Sequence, residues 1–151
     1  MSEAAALVLY VDDERDNRTL FEAQFKRKFD VVTCASGEEA LERVNARVAA
    51  LLADQRMPGM TGLQLLERVR DLAPSIRRLM ITAYDDDEPK RHIDGCIQGY
   101  FTKPWDKRLI ETALDDAVAE WACAAAREAV VDVDRVVAED ERRRALWAAA
   151  K

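Results

Sequence analysis

The chain has 151 residues, 49% of them apolar, which is enough for one well-buried core and too little for two ordinary domains. Its 23 basic and 29 acidic residues leave a net charge of −6, all of it within residues 1–120. Such a surface is a poor match for a phosphate backbone and argues against direct nucleic-acid binding. The sequence has no run of 18 apolar residues, and the N-terminus MSEAAALVLYVDDE lacks a basic leader, so neither a membrane span nor a signal peptide is expected. Three scattered cysteines, Cys34, Cys96 and Cys123, with no CxxC spacing, exclude a disulfide framework and a zinc site. A cytoplasmic protein with reduced thiols is the expectation.

Two periodicities alternate along the chain. Short Val-, Leu- and Ile-rich runs at Ala6 to Val11, Asp30 to Cys34, Val48 to Ala53, Leu79 to Thr82 and Gly99 to Thr102 predict strands. Segments with apolar residues three and four apart predict helices between them. The first carries Leu20, Phe21, Phe25 and Phe29; the second opens on a capping box, Ser36 with Glu39; the third opens on another, Thr61 with Gln64, and stops before Pro74. A short fourth helix over roughly 87–93 has Pro89 in its first turn and Gly95 after its end. The fifth follows Pro104 with Asp106 as N-cap and Leu109, Ile110, Ala113, Leu114 and Val118 on one side. Five β-α units in about 120 residues predict a doubly wound α/β sandwich. From Trp121 onward there is no strand pattern, no glycine and no proline, and 13 of the 25 alanines lie from Ala113 to the end. An apolar stripe at steps of three and four lets the fifth helix continue past the globular part. The expected organisation is a domain over 1–120 and a helical extension, linker or dimerisation segment over 121–151.

In a doubly wound sheet the site lies at the carboxyl ends of the strands. There the first strand ends in Asp12 and Asp13, the third in Asp54, the fourth in Thr82 and the fifth in Lys103. Carboxylates a few ångströms apart repel, so the group calls for shared protons or a cation, and an all-oxygen ligand set suits Mg²⁺ or Mn²⁺. The only histidine, His92, is expected on the surface. After Asp54 comes QRMPGMTG, a turn-forming run with Pro58, Gly59 and Gly62 that leaves Asp54 at the open end of the sheet. A carboxylate beside a divalent cation can attack a phosphoryl group, with a lysine and a hydroxyl available for the phosphoryl oxygens.

The motifs VDDE (11 to 14), ADQRMPGMTGLQLL (53 to 66), ITA (81 to 83) and GYFTKPW (99 to 105) resemble, in order and spacing, the receiver domain of two-component response regulators, over about residues 6 to 120. The resemblance implies a flavodoxin-like sheet of order 2-1-3-4-5 with five helices, the fifth extended. It implies Asp54 as phosphoacceptor for a histidine kinase or histidine phosphotransfer protein. Asp13 and Asp54 would bind Mg²⁺ directly, Asp12 through water, and Arg56 through its backbone carbonyl. Thr82, the Ala83 amide and Lys103 would contact the phosphoryl group, Tyr100 would be the switch aromatic, and Pro104 would be cis. Arg56 and Tyr84 overhang the site and are expected to tune the lifetime of the acyl phosphate. The expected output is a changed surface of the fourth helix, fifth strand and fifth helix, controlling a partner or a homodimer.

Other classes fit less well. A flavin site needs a phosphate loop after the first strand, where this chain has the acidic DDERDN. A haloacid-dehalogenase-type phosphatase needs a second aspartate two residues after the nucleophile, where Arg56 stands. No catalytic turnover beyond the domain's own phosphotransfer and hydrolysis is expected. The acidic run Asp85 to Glu88 reads as a solvated cap. The alternative for the whole chain is a piece of a larger regulator whose effector, transcriptional or cyclic-nucleotide, lies elsewhere, with the tail as its linker.

Overall fold

A computed structural model of the chain describes residues 5–83 and 95–131. The elements are β1 (Leu7–Val11), α1 (Arg15–Phe25), β2 (Asp30–Cys34), α2 (Gly37–Arg43), β3 (Val48–Asp54), α3 (Gly62–Leu72), β4 (Arg77–Thr82), β5 (Gly99–Thr102) and α4 (Lys107–Val131). All five strands are parallel, in the order β2-β1-β3-β4-β5. That is the doubly wound, flavodoxin-like sheet expected from the motifs. The segment read as the fifth helix is α4; the helix expected over 87–93, with His92, Tyr84 and the acidic run, lies outside the described residues.

Strand alternation divides the core into two layers. Val8 and Tyr10 of β1 face Phe21 and Phe25 of α1 and Ile110 and Leu114 of α4, while Leu9 and Val11 face Ala40 of α2 and Leu65, Leu66 and Val69 of α3. Every residue of β1 and β3 is buried, as a central parallel strand covered on both faces requires. Each fully buried Leu or Phe in these layers contributes about 1.5–3 kcal/mol. Leu20, read as part of the apolar face of the first helix, is instead 47% exposed, because it stands about 100° around α1 from Phe21 and so off the Phe21–Phe25 stripe that faces the sheet; Phe29 lies past the helix end but stays in the core.

The caps hold with one adjustment. Thr61 and Gln64 form a complete capping box. Ser36 accepts from the Glu39 amide, but the Glu39 carboxylate reaches back to the Ala35 amide at 2.9 Å, one residue before the box position. Asp106 accepts from the Arg108 amide at 2.9 Å and starts α4. The α4 helix then runs without interruption across residue 120. It is tied to the edge of the sheet opposite the strand carboxyl ends, where Arg77 pairs with Glu120 at 2.7 Å and the Trp121 indole N–H donates to the Ala46 carbonyl at 2.8 Å.

β4 begins two residues before its apolar run, at Arg77. The reason is Arg78, which is 5% exposed and whose guanidinium donates to the carbonyls of Cys96, Pro74 and Ile76 at 3.0, 2.9 and 3.1 Å. A charged residue is tolerated at that strand position because three carbonyls accept its protons.

Candidate functional site

Parallel register sets the site. Val11 pairs with Ala53 and Asp54 with Ile81, so the residues after β1 and the last residue of β3 lie at one level of the carboxyl edge, with Thr82 paired to Thr102 beside them. Asp12, Asp13 and Asp54 each place a carboxylate oxygen within 4.8 Å of the others. Among the described residues this is the one acidic or metal-ligating cluster of that kind. Asp12 and Asp54 are buried, at 0% and 6% exposure, while Asp13 is exposed at the rim. An all-oxygen set of two buried carboxylates and one open to solvent fits a hard divalent cation that keeps part of its water shell.

The loops hold these groups by backbone contacts. Gly62 lies so close to the end of β3 that a Cβ there would stand 2.4 Å from the Asp54 carbonyl oxygen. The Gly62 amide donates to the Gln55 carbonyl at 3.1 Å, and the Gln55 side chain accepts from the Leu63 amide at 2.8 Å. The intervening turn contains Gly59 at a φ of 76°, a left-handed conformation that glycine adopts without penalty. The result is a loop folded back onto α3 that leaves the Asp54 carboxylate at the sheet edge. On the other side the Lys103 amide donates to the Thr82 carbonyl at 2.8 Å, and the Lys103–Pro104 bond is cis, as expected at that proline.

Lys103 reaches two carboxylates. Its ammonium donates to Asp12 Oδ2 at 2.8 Å and lies 3.6 Å from Asp54 Oδ1. Asp12 also accepts from the Glu14 amide through Oδ1 at 2.9 Å, and its carbonyl accepts from Arg18 at 2.8 Å. The Asp54 carboxyl is pushed up to about 6, chiefly because burial disfavours its anion; Lys103 opposes the shift, and the charges of Asp12 and Asp13 add to it. A carboxyl in that state gains most from an added cation.

Thr82 is fully buried at the end of β4, Ala83 follows it at the exposed rim, Tyr100 is half-buried in β5, and Arg56 is exposed beyond Asp54. Tyr84 falls outside the described residues. One residue at the site went unnoticed in the sequence: the Tyr10 hydroxyl, wholly buried, donates to Asp12 Oδ2 at 2.8 Å. The available signal was a tyrosine in an otherwise aliphatic strand, two residues before Asp12 and therefore on the same face.

This geometry has known counterparts. Residues 8–115 match the family model described as response regulator receiver domain. The hydrogenase transcriptional regulatory protein HoxA of Cupriavidus necator is 37% identical over 124 residues, covering 80% of this chain and 26% of that protein. The transcriptional regulatory protein GlrR of Escherichia coli is 32% identical over 139 residues, covering 87% of this chain and 31% of that protein. The chain thus spans about a quarter to a third of the length of these curated relatives. Among solved structures, the chemotaxis protein CheY4 of Vibrio cholerae superposes with a TM-score of 0.67 at 28% identity, covering 76% of this chain and 99% of that one. A structure described as adenylate cyclase from Rhodopirellula baltica shares the fold, with a TM-score of 0.74 at 24% identity over 85% of this chain and 98% of that one. With the sheet order, the acidic cluster and the match over residues 8–115 all in agreement, the chain belongs to the receiver domain family of two-component response regulators.

Proposed function

We propose that this chain is a phosphorylation-dependent switch in which Asp54 accepts a phosphoryl group from a histidine kinase or histidine phosphotransfer protein. The convergence of Asp12, Asp13, Asp54 and Lys103 on one crevice carries the reading. An Asp54 carboxylate oxygen attacks phosphorus and forms the acyl phosphate, the P–N bond to the donor histidine breaks, and its electron pair stays on the imidazole. Asp13 and Asp54, with the Arg56 carbonyl and with Asp12 through water, would hold Mg²⁺ or Mn²⁺. That cation would neutralise charge on the transferring group. Lys103 moves from Asp12 to the phosphoryl oxygens, Thr82 and the Ala83 amide bind others, and water ends the signal by hydrolysis. The chain does no other chemistry in this reading, and it works in the cytoplasm.

The added charge, about 1.5 to 2 negative units, draws Thr82 toward Asp54 and lets Tyr100 turn inward. The affected surface comprises the segment over 87–93, β5 and the start of α4. Residues 1–120 are the switch in this reading and residues 121–151 transmit its state, through pairing or reorientation of the extended helix. The chain itself contacts no nucleic acid. A second reading is supported by relatives such as HoxA and GlrR, whose descriptions are of transcriptional regulators several times longer than the matched region: the receiver then governs an effector domain, and the extended helix is its linker.

Mass spectrometry after incubation with Mg²⁺ and a small-molecule phosphodonor tests the site. One phosphoryl group on wild type and none on Asp54→Asn is expected, and undiminished labelling of the variant overturns the assignment. Sedimentation with Mg²⁺, with and without beryllofluoride, tests the output. A change of association state supports the helix-pairing reading, and identical monomers refute it.

A further inference from the structure

Asp12 Oδ2 accepts two hydrogen bonds of equal length from side chains of opposite character. Lys103 reaches it at 2.8 Å from a flexible four-carbon stem, 14% exposed, with a second carboxylate already 3.6 Å away. Tyr10 reaches it at 2.8 Å from a ring that cannot follow. That ring stacks on Phe21 with centroids 4.2 Å apart and planes 7° apart, and packs edge-to-face with Trp105, their centroids 6.0 Å apart. Trp105 is itself held by its indole N–H, which donates to Gln24 at 2.7 Å. One donor to this oxygen is mobile and the other is built into the core.

We propose that Tyr10 is a positioning residue that keeps a donor on the Asp12 carboxylate when Lys103 leaves it. The inference rests on the phosphoacceptor reading of Asp54, because phosphorylation is what draws the ammonium away. Asp12 is fully buried, and a buried anion that loses a charged donor loses much of what offsets its desolvation. The Tyr10 hydroxyl lessens that loss and so lowers the cost of moving Lys103. Phenylalanine would fill the same space against Phe21 and Trp105, so packing of the aromatic layer does not account for the hydroxyl. The hydroxyl's bond also orients the carboxylate, leaving Oδ1 toward the Glu14 amide and the crevice.

The test is a pair of double-mutant cycles with Tyr10→Phe and Lys103→Met. In urea unfolding of the metal-free protein, Lys103→Met should shift the midpoint about twice as far in the Tyr10→Phe background as in wild type, because the second donor is already gone. Equal shifts in the two backgrounds would overturn the proposal. With Mg²⁺ saturating, Tyr10→Phe should slow labelling by a small-molecule phosphodonor about tenfold, the order expected for one hydrogen bond to a charged group. In the Lys103→Met background the same change should cost less than twofold, since no ammonium has to leave Oδ2. An equal loss in both backgrounds would mean a merely structural tyrosine. Failure of the wild-type chain to label would refute the Asp54 reading instead, and the unfolding cycle would still decide whether Tyr10 and Lys103 act through one oxygen.

Discussion

Lys103 and Asp12 are joined at 2.8 Å, whereas Lys103 and Asp54 are 3.6 Å apart, so the cation of the site rests on the carboxylate that is not the proposed phosphoacceptor. Asp54 is left buried with incomplete compensation, which explains why its carboxyl is pushed up to about 6 despite a lysine nearby. The metal-free site holds an unfavourable negative charge that a bound divalent cation would offset.

That charge has a measurable cost. With its carboxyl raised from 3.8 to about 6, native Asp54 binds more protons than the unfolded chain does between those values. Its contribution to stability is present below pH 4 and is lost as pH rises through about 6. Asp54→Asn should therefore stabilise the metal-free protein at pH 7 by about 1–3 kcal/mol, with a smaller gain at pH 4.5. Urea unfolding at the two pH values checks this. Added Mg²⁺ should stabilise wild type more than the variant and narrow the gap.

The close approach of Gly62 to Asp54 predicts a second effect. A Cβ 2.4 Å from the Asp54 carbonyl oxygen would meet rigid backbone, so Gly62→Ala should destabilise the fold by about 1–3 kcal/mol. The displacement falls on the residue that carries the proposed chemistry, so labelling of Asp54 should slow as well. Chemical denaturation and phosphodonor labelling of the same preparation would show both.

Arg78 predicts a third. Its guanidinium serves three carbonyls at the start of β4 and of the segment leading into β5, and burial lowers its affinity for its proton without removing it. Arg78→Met leaves those carbonyls short of donors in a buried setting and should cost about 2–4 kcal/mol. Thermal unfolding reads the loss, and hydrogen exchange should show it first in the amides of residues 95–98.

Arg56 sits exposed just beyond Asp54. Its position two residues after Asp54 predicts that Arg56→Asn changes the decay rate of the acyl phosphate by severalfold while leaving Asp54 as the labelled residue. Release of phosphate after removal of the donor measures that rate, and an unchanged decay would show that Arg56 does not control water access.

Much of this protein was legible in the amino-acid order, for physical reasons. Strands buried on both faces read as unbroken apolar runs, and helices announce themselves through Thr61, Gln64, Asp106 and Pro74, so element type and order follow from local chemistry. The grouping of Asp12, Asp13, Asp54, Thr82 and Lys103 was also readable, because parallel strands put their carboxyl ends on one edge. Tertiary structure alone decided which groups touch. Two polar interruptions, Tyr10 and Arg78, are satisfied by partners distant in sequence or hidden by local geometry: one on Asp12, the other on three carbonyls. Periodicity records whether a position is buried, but it carries no information about which oxygen accepts a given proton. That choice depends on ångström-scale register between strands, and it is the register that rests Lys103 on Asp12 with Tyr10 beside it.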